Sequence, residues 1–149
     1  MRRKLGAIAI ALYVISLLLP AIVIVDRPLF GSGGGHEQMV LGIQCLVYGF
    51  FVWPGWLANP LLFVAVVVRT LAVRPGWYSV ATILAYGATI SAISAPFLLA
   101  GIDVLDFVHV HVGYVLWLGA CVTAALEMHV ATLEARDAIA LANAARLEA

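Results

Sequence analysis

Long stretches without a charged residue dominate the pattern of apolar and polar positions along the chain. Residues 5–25, 75–102 and 107–126 contain no Asp, Glu, Lys or Arg, and residues 39–68 form a fourth such run. A helix needs about 20 mainly apolar residues to cross the roughly 30 Å of bilayer hydrocarbon. The pattern therefore predicts four membrane spans, over about residues 5–25, 56–73, 77–100 and 107–128.

The second uncharged run is too long for one straight span and contains helix-breaking residues. Residues 39–73 would extend about 52 Å as a single helix at ~1.5 Å per residue. Pro54 precedes a glycine, which is typical of a break, and Asn59 followed by Pro60 is typical of a helix start with Asn59 as the cap. We therefore expect an outer half-helix over about 39–52, either at the interface or re-entrant, followed by the second span.

The distribution of the basic residues indicates the orientation of these spans in the membrane. In a four-span topology only Arg27 lies on one side, and seven of the eight basic residues lie on the other: Arg2, Arg3, Lys4, Arg69, Arg74, Arg136 and Arg146. The positive-inside rule makes that second side cytoplasmic, whereas a five-span topology would leave only the first three inside. The first run is too long for a signal peptide and lacks a small-residue cleavage pattern. We expect both termini in the cytoplasm and a bacterial inner (plasma) membrane as the location.

Composition supports a membrane protein and excludes several other classes. The chain has 149 residues, 64% of them hydrophobic, a mean hydropathy of +1.08 and no net charge. This predicts one transmembrane domain, residues 1–149, with an all-α four-helix bundle and a cytoplasmic helical tail over about 132–149. Without a basic field, we expect no nucleic-acid partner. The two cysteines, Cys45 and Cys121, form no CxxC motif, which excludes thioredoxin-like and zinc-ribbon chemistry.

Small residues recur along the third predicted span. Gly87, Ser91 and Ala95 follow a small-xxx-small spacing, which is typical of close helix packing. We interpret this face as a contact with a second copy or with a partner membrane protein. A polar stripe on another side of the span is expected to make interhelical hydrogen bonds, and the alternative is that it lines a polar path. The stripe consists of Ser79, Thr82, Tyr86 and Thr89.

Ionisable residues inside membrane spans are candidates for function, because an unpaired charge in lipid is costly. Arg69 lies about a turn within the second span, and Glu127 lies about a turn within the fourth. The two are expected at similar depth, where they would form an interhelical ion pair or a proton or substrate site. The alternative is that Arg69 extends to the cytoplasmic surface without any partner.

A second group of ionisable residues is predicted on the outer side. Asp103, Asp106 and His109 are three residues apart, so they would share one face if the segment is helical, and His111 follows closely. Imidazole and carboxylate ligands suit zinc, manganese or iron. The alternative is a hydrated acidic loop. We expect no haem, because the remaining outer histidine, His36, follows a flexible glycine-rich stretch.

No enzyme motif occurs in the sequence: it has no Cys-His pairing, no Gly-x-Ser-x-Gly and no HExxH. We therefore expect a non-enzymatic, cofactor-free protein of the lipid bilayer that assembles with itself or with a partner. Such a protein would be an accessory subunit, or a membrane-embedded inhibitor or immunity-type protein. The alternatives are a small transporter or channel, which would use the break at residues 54–60 and the Arg69/Glu127 pair, and a protein with an outer metal site.

Overall fold

The computed structural model describes residues 2–26, 36–48, 57–71, 75–100 and 108–147. These residues form five helices and three strands, in the order α1 Arg2–Leu18, β1 Pro20–Asp26, β2 His36–Leu41, α2 Gly42–Tyr48, α3 Ala58–Thr70, α4 Pro75–Ala100, β3 Val108–Val110 and α5 Val112–Leu147. The prediction of a helical protein is confirmed. The small sheet was not predicted.

The four longer helices alternate in direction. Asn59 of α3 contacts Trp117 of α5, and ten residues later in both helices Arg69 contacts Glu127, so α3 and α5 are parallel. Thr82 of α4 contacts Thr132, whereas Tyr114 contacts Ala92, so α4 and α5 are antiparallel. Helix α1 is also antiparallel to α5, because Gly119 lies beside Leu12 and Gly113 beside Leu19 and Pro20. The start of α1 and the end of α5 therefore lie at the same end of the bundle.

The interior of this bundle is built from small side chains. Buried alanines of α3, α4 and α5 form two clusters, one with Met128 and the other with Cys121. The largest fully buried side chains are Cys121 and Ser16. Large apolar side chains lie outside: Phe63 is 70% exposed and Ile83 is 69% exposed. Soluble proteins usually bury their large aliphatic and aromatic residues, so this distribution is inverted.

The first predicted span is wrong in its outer third. Helix α1 ends at Leu18, and Pro20–Asp26 form β1. Proline favours an extended conformation at the residue before it, and the β-branched run from Ile22 to Val25 suits a strand. Strand β1 lies in the centre of an antiparallel sheet, with order β2-β1-β3. Val23 pairs with Met39 on one side and with His109 on the other.

The remaining boundaries differ from the predictions by smaller amounts. The half-helix expected over 39–52 is α2, Gly42–Tyr48, because Met39–Leu41 belong to strand β2; residues 49–52 lie outside the described part. The second segment is described as two separate helices, α2 and α3. The fourth span and the cytoplasmic tail form one continuous helix, α5. Alanine-rich sequence with no Pro or Gly after Gly119 explains this continuity.

Two glycines allow the chain to pass closely by the end of α1. A Cβ atom on Gly113 would lie 2.6 Å from the Pro20 carbonyl oxygen, and a Cβ on Gly42 would overlap the Ser16 carbonyl oxygen. The Gly42 N–H donates to the Leu19 carbonyl over 3.0 Å. These contacts join the starts of α2 and α5 to α1, next to the sheet. Neither glycine was singled out from the sequence.

Length and composition of the helices give limited support for a membrane location. In the part of the chain that the structure describes, one helix, Val112–Leu147, is long and apolar enough to cross a membrane. The helical residues Lys4–Leu18 and Ala58–Thr70 are also apolar but shorter. The core helix of a soluble protein can be equally long and apolar.

Candidate functional site

The structure brings the two predicted intramembrane charges together. Arg69, in the last turn of α3, places Nη2 at 2.6 Å from Oε1 of Glu127 in α5. The Arg69 side chain is 26% exposed, whereas that of Glu127 is only 5% exposed. The carboxylate is therefore enclosed by the bundle, whereas the Arg69 side chain is partly exposed in the last turn of α3.

Residues next to this ion pair in the chain belong to an apolar cluster. The chain neighbours Val68 and Met128 pack in a cluster of α3, α4 and α5 residues. The Nε atom of Arg69 is buried and has no hydrogen-bond partner among the described residues. A low-dielectric environment strengthens the attraction within the pair, but it also makes loss of either partner costly. The arrangement can hold a carboxylate inside the bundle, where it is a candidate for binding or releasing a proton.

A second polar contact lies about three turns away, towards the sheet. Oδ1 of Asn59 accepts a hydrogen bond from Tyr13 Oη over 3.1 Å and another from Trp117 Nε1 over 3.0 Å. Asn59 therefore joins α1, α3 and α5. The prediction that Asn59 caps α3 is wrong, because the cap position is Leu57 and no side chain caps this helix. Pro60 lies within the first turn, where its missing N–H removes no helical bond.

Sequence reasoning did not identify Tyr13 or Trp117 as partners of Asn59. Their spacing carries no local motif, since the three residues come from helices far apart in the chain. The only available signal was chemical: Asn59 is a polar residue in an apolar segment, and Tyr and Trp carry donors that usually find a partner when buried. Of the residues predicted to form the break, Pro54 lies outside the described residues.

The predicted packing face of α4 contacts other helices of the same chain. A Cβ on Gly87 would lie 3.8 Å from Leu61 of α3, and the neighbouring Ala88 is buried in the cluster with Cys121. Ser91 accepts a hydrogen bond from Ser94 through its carbonyl, and Ala95 lies one turn further along α4. At Gly87, this face is therefore covered by another helix of the same chain.

The predicted polar stripe of α4 divides between the interior and the surface. Thr82 is buried and shares a 2.9 Å hydrogen bond with Thr132 of α5. Thr89 instead donates to the Ala85 carbonyl of its own helix. Tyr86 is on the surface, where its ring meets the ring of His129 edge-on with 6.1 Å between centroids. Thr82 alone makes an interhelical hydrogen bond within the described parts of this stripe.

The predicted outer metal ligands are only partly described. Asp103 and Asp106 lie outside the described residues, His109 lies in β3, and His111 immediately precedes α5. The shared helical face assumed for the first three does not apply at His109, because that residue is in a strand. The backbone N–H of His111 donates to the Ala21 carbonyl, and its carbonyl accepts from Tyr114. Across the described ranges, no three His, Cys, Asp or Glu residues are grouped as for a metal ion.

Comparison with known proteins does not assign this arrangement to a family. No family model matches the chain, and no curated protein or solved structure is significantly similar to it.

Proposed function

We propose that this chain is a multi-pass inner-membrane protein in which α1, α3, α4 and α5 form a four-helix bundle. The inverted distribution of side chains carries this proposal. Alanine, serine, threonine and cysteine fill the interior, and exposed isoleucine, valine and phenylalanine cover the outside. In water this surface would promote aggregation, whereas in lipid it needs no further cover. Small interior residues are typical of helix packing in membranes.

Both termini are proposed to lie in the cytoplasm. The alternating helix directions bring the start of α1, the end of α3, the start of α4 and the end of α5 to one end. Lys4, Arg69 and Arg136 belong to the same end, in agreement with the positive-inside rule. The sheet and α2 lie at the opposite end, which we assign to the outer side.

The activity we propose is non-enzymatic assembly with a second copy or with a partner membrane protein. Helix α5 supports this proposal because its 36 residues extend about 54 Å at ~1.5 Å per residue, well beyond the roughly 30 Å of hydrocarbon. Its last turns form an exposed arm, which we define as residues 133–147. Leu141 in this arm is 72% exposed. Apolar side chains on a projecting helix are suited to binding another helix.

Native mass spectrometry of the protein released gently from its own membranes tests this assembly. We expect a homo-oligomer, or a complex with a second protein, and a mass free of metal or haem. Leu141→Asn should reduce the assembled fraction, whereas Ala142→Asn, which alters a small exposed residue of the same arm, serves as the matched control. A monomer for the unmodified chain would contradict assembly. Gly87→Leu is less informative, since Gly87 contacts Leu61 within the chain.

A small transporter or channel is the second candidate, and the Arg69–Glu127 pair favours it. A carboxylate held inside a membrane bundle is a recurrent element of proton and ion pathways. This candidate predicts solute or proton flux in liposomes that Glu127→Gln abolishes and Glu134→Gln, on the exposed arm, preserves. Flux no greater than that of empty vesicles would exclude it.

The outer metal site remains a prediction from Asp103, Asp106, His109 and His111. Metal analysis of protein purified without chelator tests it. One equivalent of zinc, manganese or iron would support the site, and metal-free protein would contradict it.

A further inference from the structure

We infer that α3 holds its place across the membrane only after α5 has packed against it. This inference rests on the proposed membrane location and concerns the order in which the bundle forms. Helix α3 has 13 residues, about 20 Å at ~1.5 Å per residue, against roughly 30 Å of hydrocarbon. It is therefore short for an independent span.

Both ends of α3 also contain a polar side chain. Asn59 lies in the first turn and Arg69 in the last. A lone helix in lipid would leave the amide unpaired and would force the guanidinium to reach for the interface. Short length and unpaired polar groups both disfavour α3 as a separate unit in the bilayer.

The bundle supplies partners for both side chains, chiefly from α5. Asn59 accepts hydrogen bonds from Tyr13 of α1 and Trp117 of α5, and Arg69 pairs with Glu127 of α5. The two α5 partners are ten residues apart, as are the two α3 residues, so one parallel alignment satisfies both contacts. In the described residues, these hydrogen bonds and this ion pair lead to α1 and α5 rather than to α4.

The contact of α3 with α4 is of a different kind. It consists of alanine packing, with Ala58 beside Ala88 and Ala92, and of Leu61 near Gly87. Such packing holds α3 against α4, but α4 supplies no hydrogen-bond or ion-pair partner for Asn59 or Arg69 within the described residues. Because α5 follows α3 and α4 in the chain, α3 lacks the partners Trp117 and Glu127 until α5 has been synthesised.

Topology reporters fused to the C-terminus of the full chain test this order. If α3 fails to insert, the segment before α4 stays outside, α4 and α5 reverse, and the C-terminus moves to the outer side. We compare a fluorescent protein that is active in the cytoplasm with a phosphatase that is active outside. The unmodified chain should give the cytoplasmic signal.

The test variant removes the two α5 partners and leaves α3 unchanged. Trp117→Phe with Glu127→Leu should lower the cytoplasmic signal about twofold or more and raise the outer signal in proportion. Adding Asn59→Leu and Arg69→Leu should restore the cytoplasmic signal, since α3 then has no polar group to pair. Val122→Ala with Leu126→Ala, on the exposed side of α5, is the matched control.

Two results would overturn the inference: an unchanged signal in the Trp117/Glu127 variant, or no recovery after the α3 substitutions. The second would assign the defect to α5 itself. Alkaline carbonate extraction of the unmodified chain separates this inference from the proposed membrane location. Release into the supernatant would contradict the location and with it the inference, whereas retention with an unchanged reporter signal would contradict the inference alone.

Discussion

Replacement of Arg69 by methionine should destabilise the bundle more than replacement of Glu127 by glutamine. Arg69→Met removes the guanidinium from beside a carboxylate that is only 5% exposed. Glu127→Gln leaves a guanidinium whose side chain is 26% exposed and can extend to the bundle end. The two single variants therefore remove the same 2.6 Å ion pair but leave very different groups behind.

Removing one partner of a buried ion pair costs about 3–5 kcal/mol, because an uncompensated charge remains. The Arg69 side chain is partly exposed, and contact with solvent weakens the ion pair. We therefore expect Arg69→Met to cost about 3 kcal/mol, at the lower end of this range. Glu127→Gln should cost about 1 kcal/mol, as for a partly exposed pair. The double variant Arg69→Met/Glu127→Met removes both charges and should lie within about 1 kcal/mol of the unmodified chain.

Unfolding in detergent micelles, followed by helical circular dichroism as denaturing detergent is added, gives the free energy of unfolding for each variant. The double-mutant cycle then gives the coupling energy between Arg69 and Glu127. Arg136→Met on the exposed arm is the control and should change stability by less than about 0.5 kcal/mol. Equal costs for the two single variants, or a cost below about 1 kcal/mol for Arg69→Met, would refute the reasoning.

Three further substitutions test the packing of the bundle by the same unfolding measurement. Gly113→Ala should lower the free energy of unfolding by about 1–3 kcal/mol, because the added Cβ would be too close to Pro20. Gly76→Ala is the control and should not destabilise the protein, because its Cβ would meet no neighbour. Equal effects of the two variants would contradict the Gly113–Pro20 contact. Asn59→Leu should cost about 2 kcal/mol, as two donors lose their acceptor, and an unchanged stability would exclude that role. Thr132→Val should cost about 1 kcal/mol, because it removes the hydrogen bond with Thr82. If the costs of Thr132→Val and Thr82→Val simply add in the double variant, the two threonines do not interact.

The sequence predicted the helical segments better than the ends of those segments. Apolar length located α4 and α5, because a long uncharged run leaves few alternatives to a helix, whereas α3 was located with the help of the helix breakers at residues 54–60. The same criterion was wrong over residues 20–26, where Pro20 and the following β-branched residues form a strand. Hydropathy does not distinguish an apolar helix from an apolar strand, and more weight on Pro20 would have placed the end of α1 correctly.

The contact between Arg69 and Glu127 was predictable because charge in an apolar segment is rare and each residue had one plausible partner. The contact of Asn59 with Tyr13 and Trp117 was not predictable in the same way. Three helices must pack before these side chains meet, and several tyrosines and tryptophans offer equivalent donors in the sequence. The Gly113 approach to Pro20 depends likewise on how two distant segments cross.

The most direct test of the central claim, that lipid covers the outside of this bundle, is spin-label accessibility in the native membrane. Labels replacing Phe63, Ile83 and Ile90 report the exposed apolar surface of α3 and α4, and a label at Ala142 reports the arm. We predict collisions with lipid-soluble oxygen at the first three positions and with a water-soluble nickel chelate at Ala142. Nickel accessibility at Phe63, Ile83 and Ile90 would contradict the account.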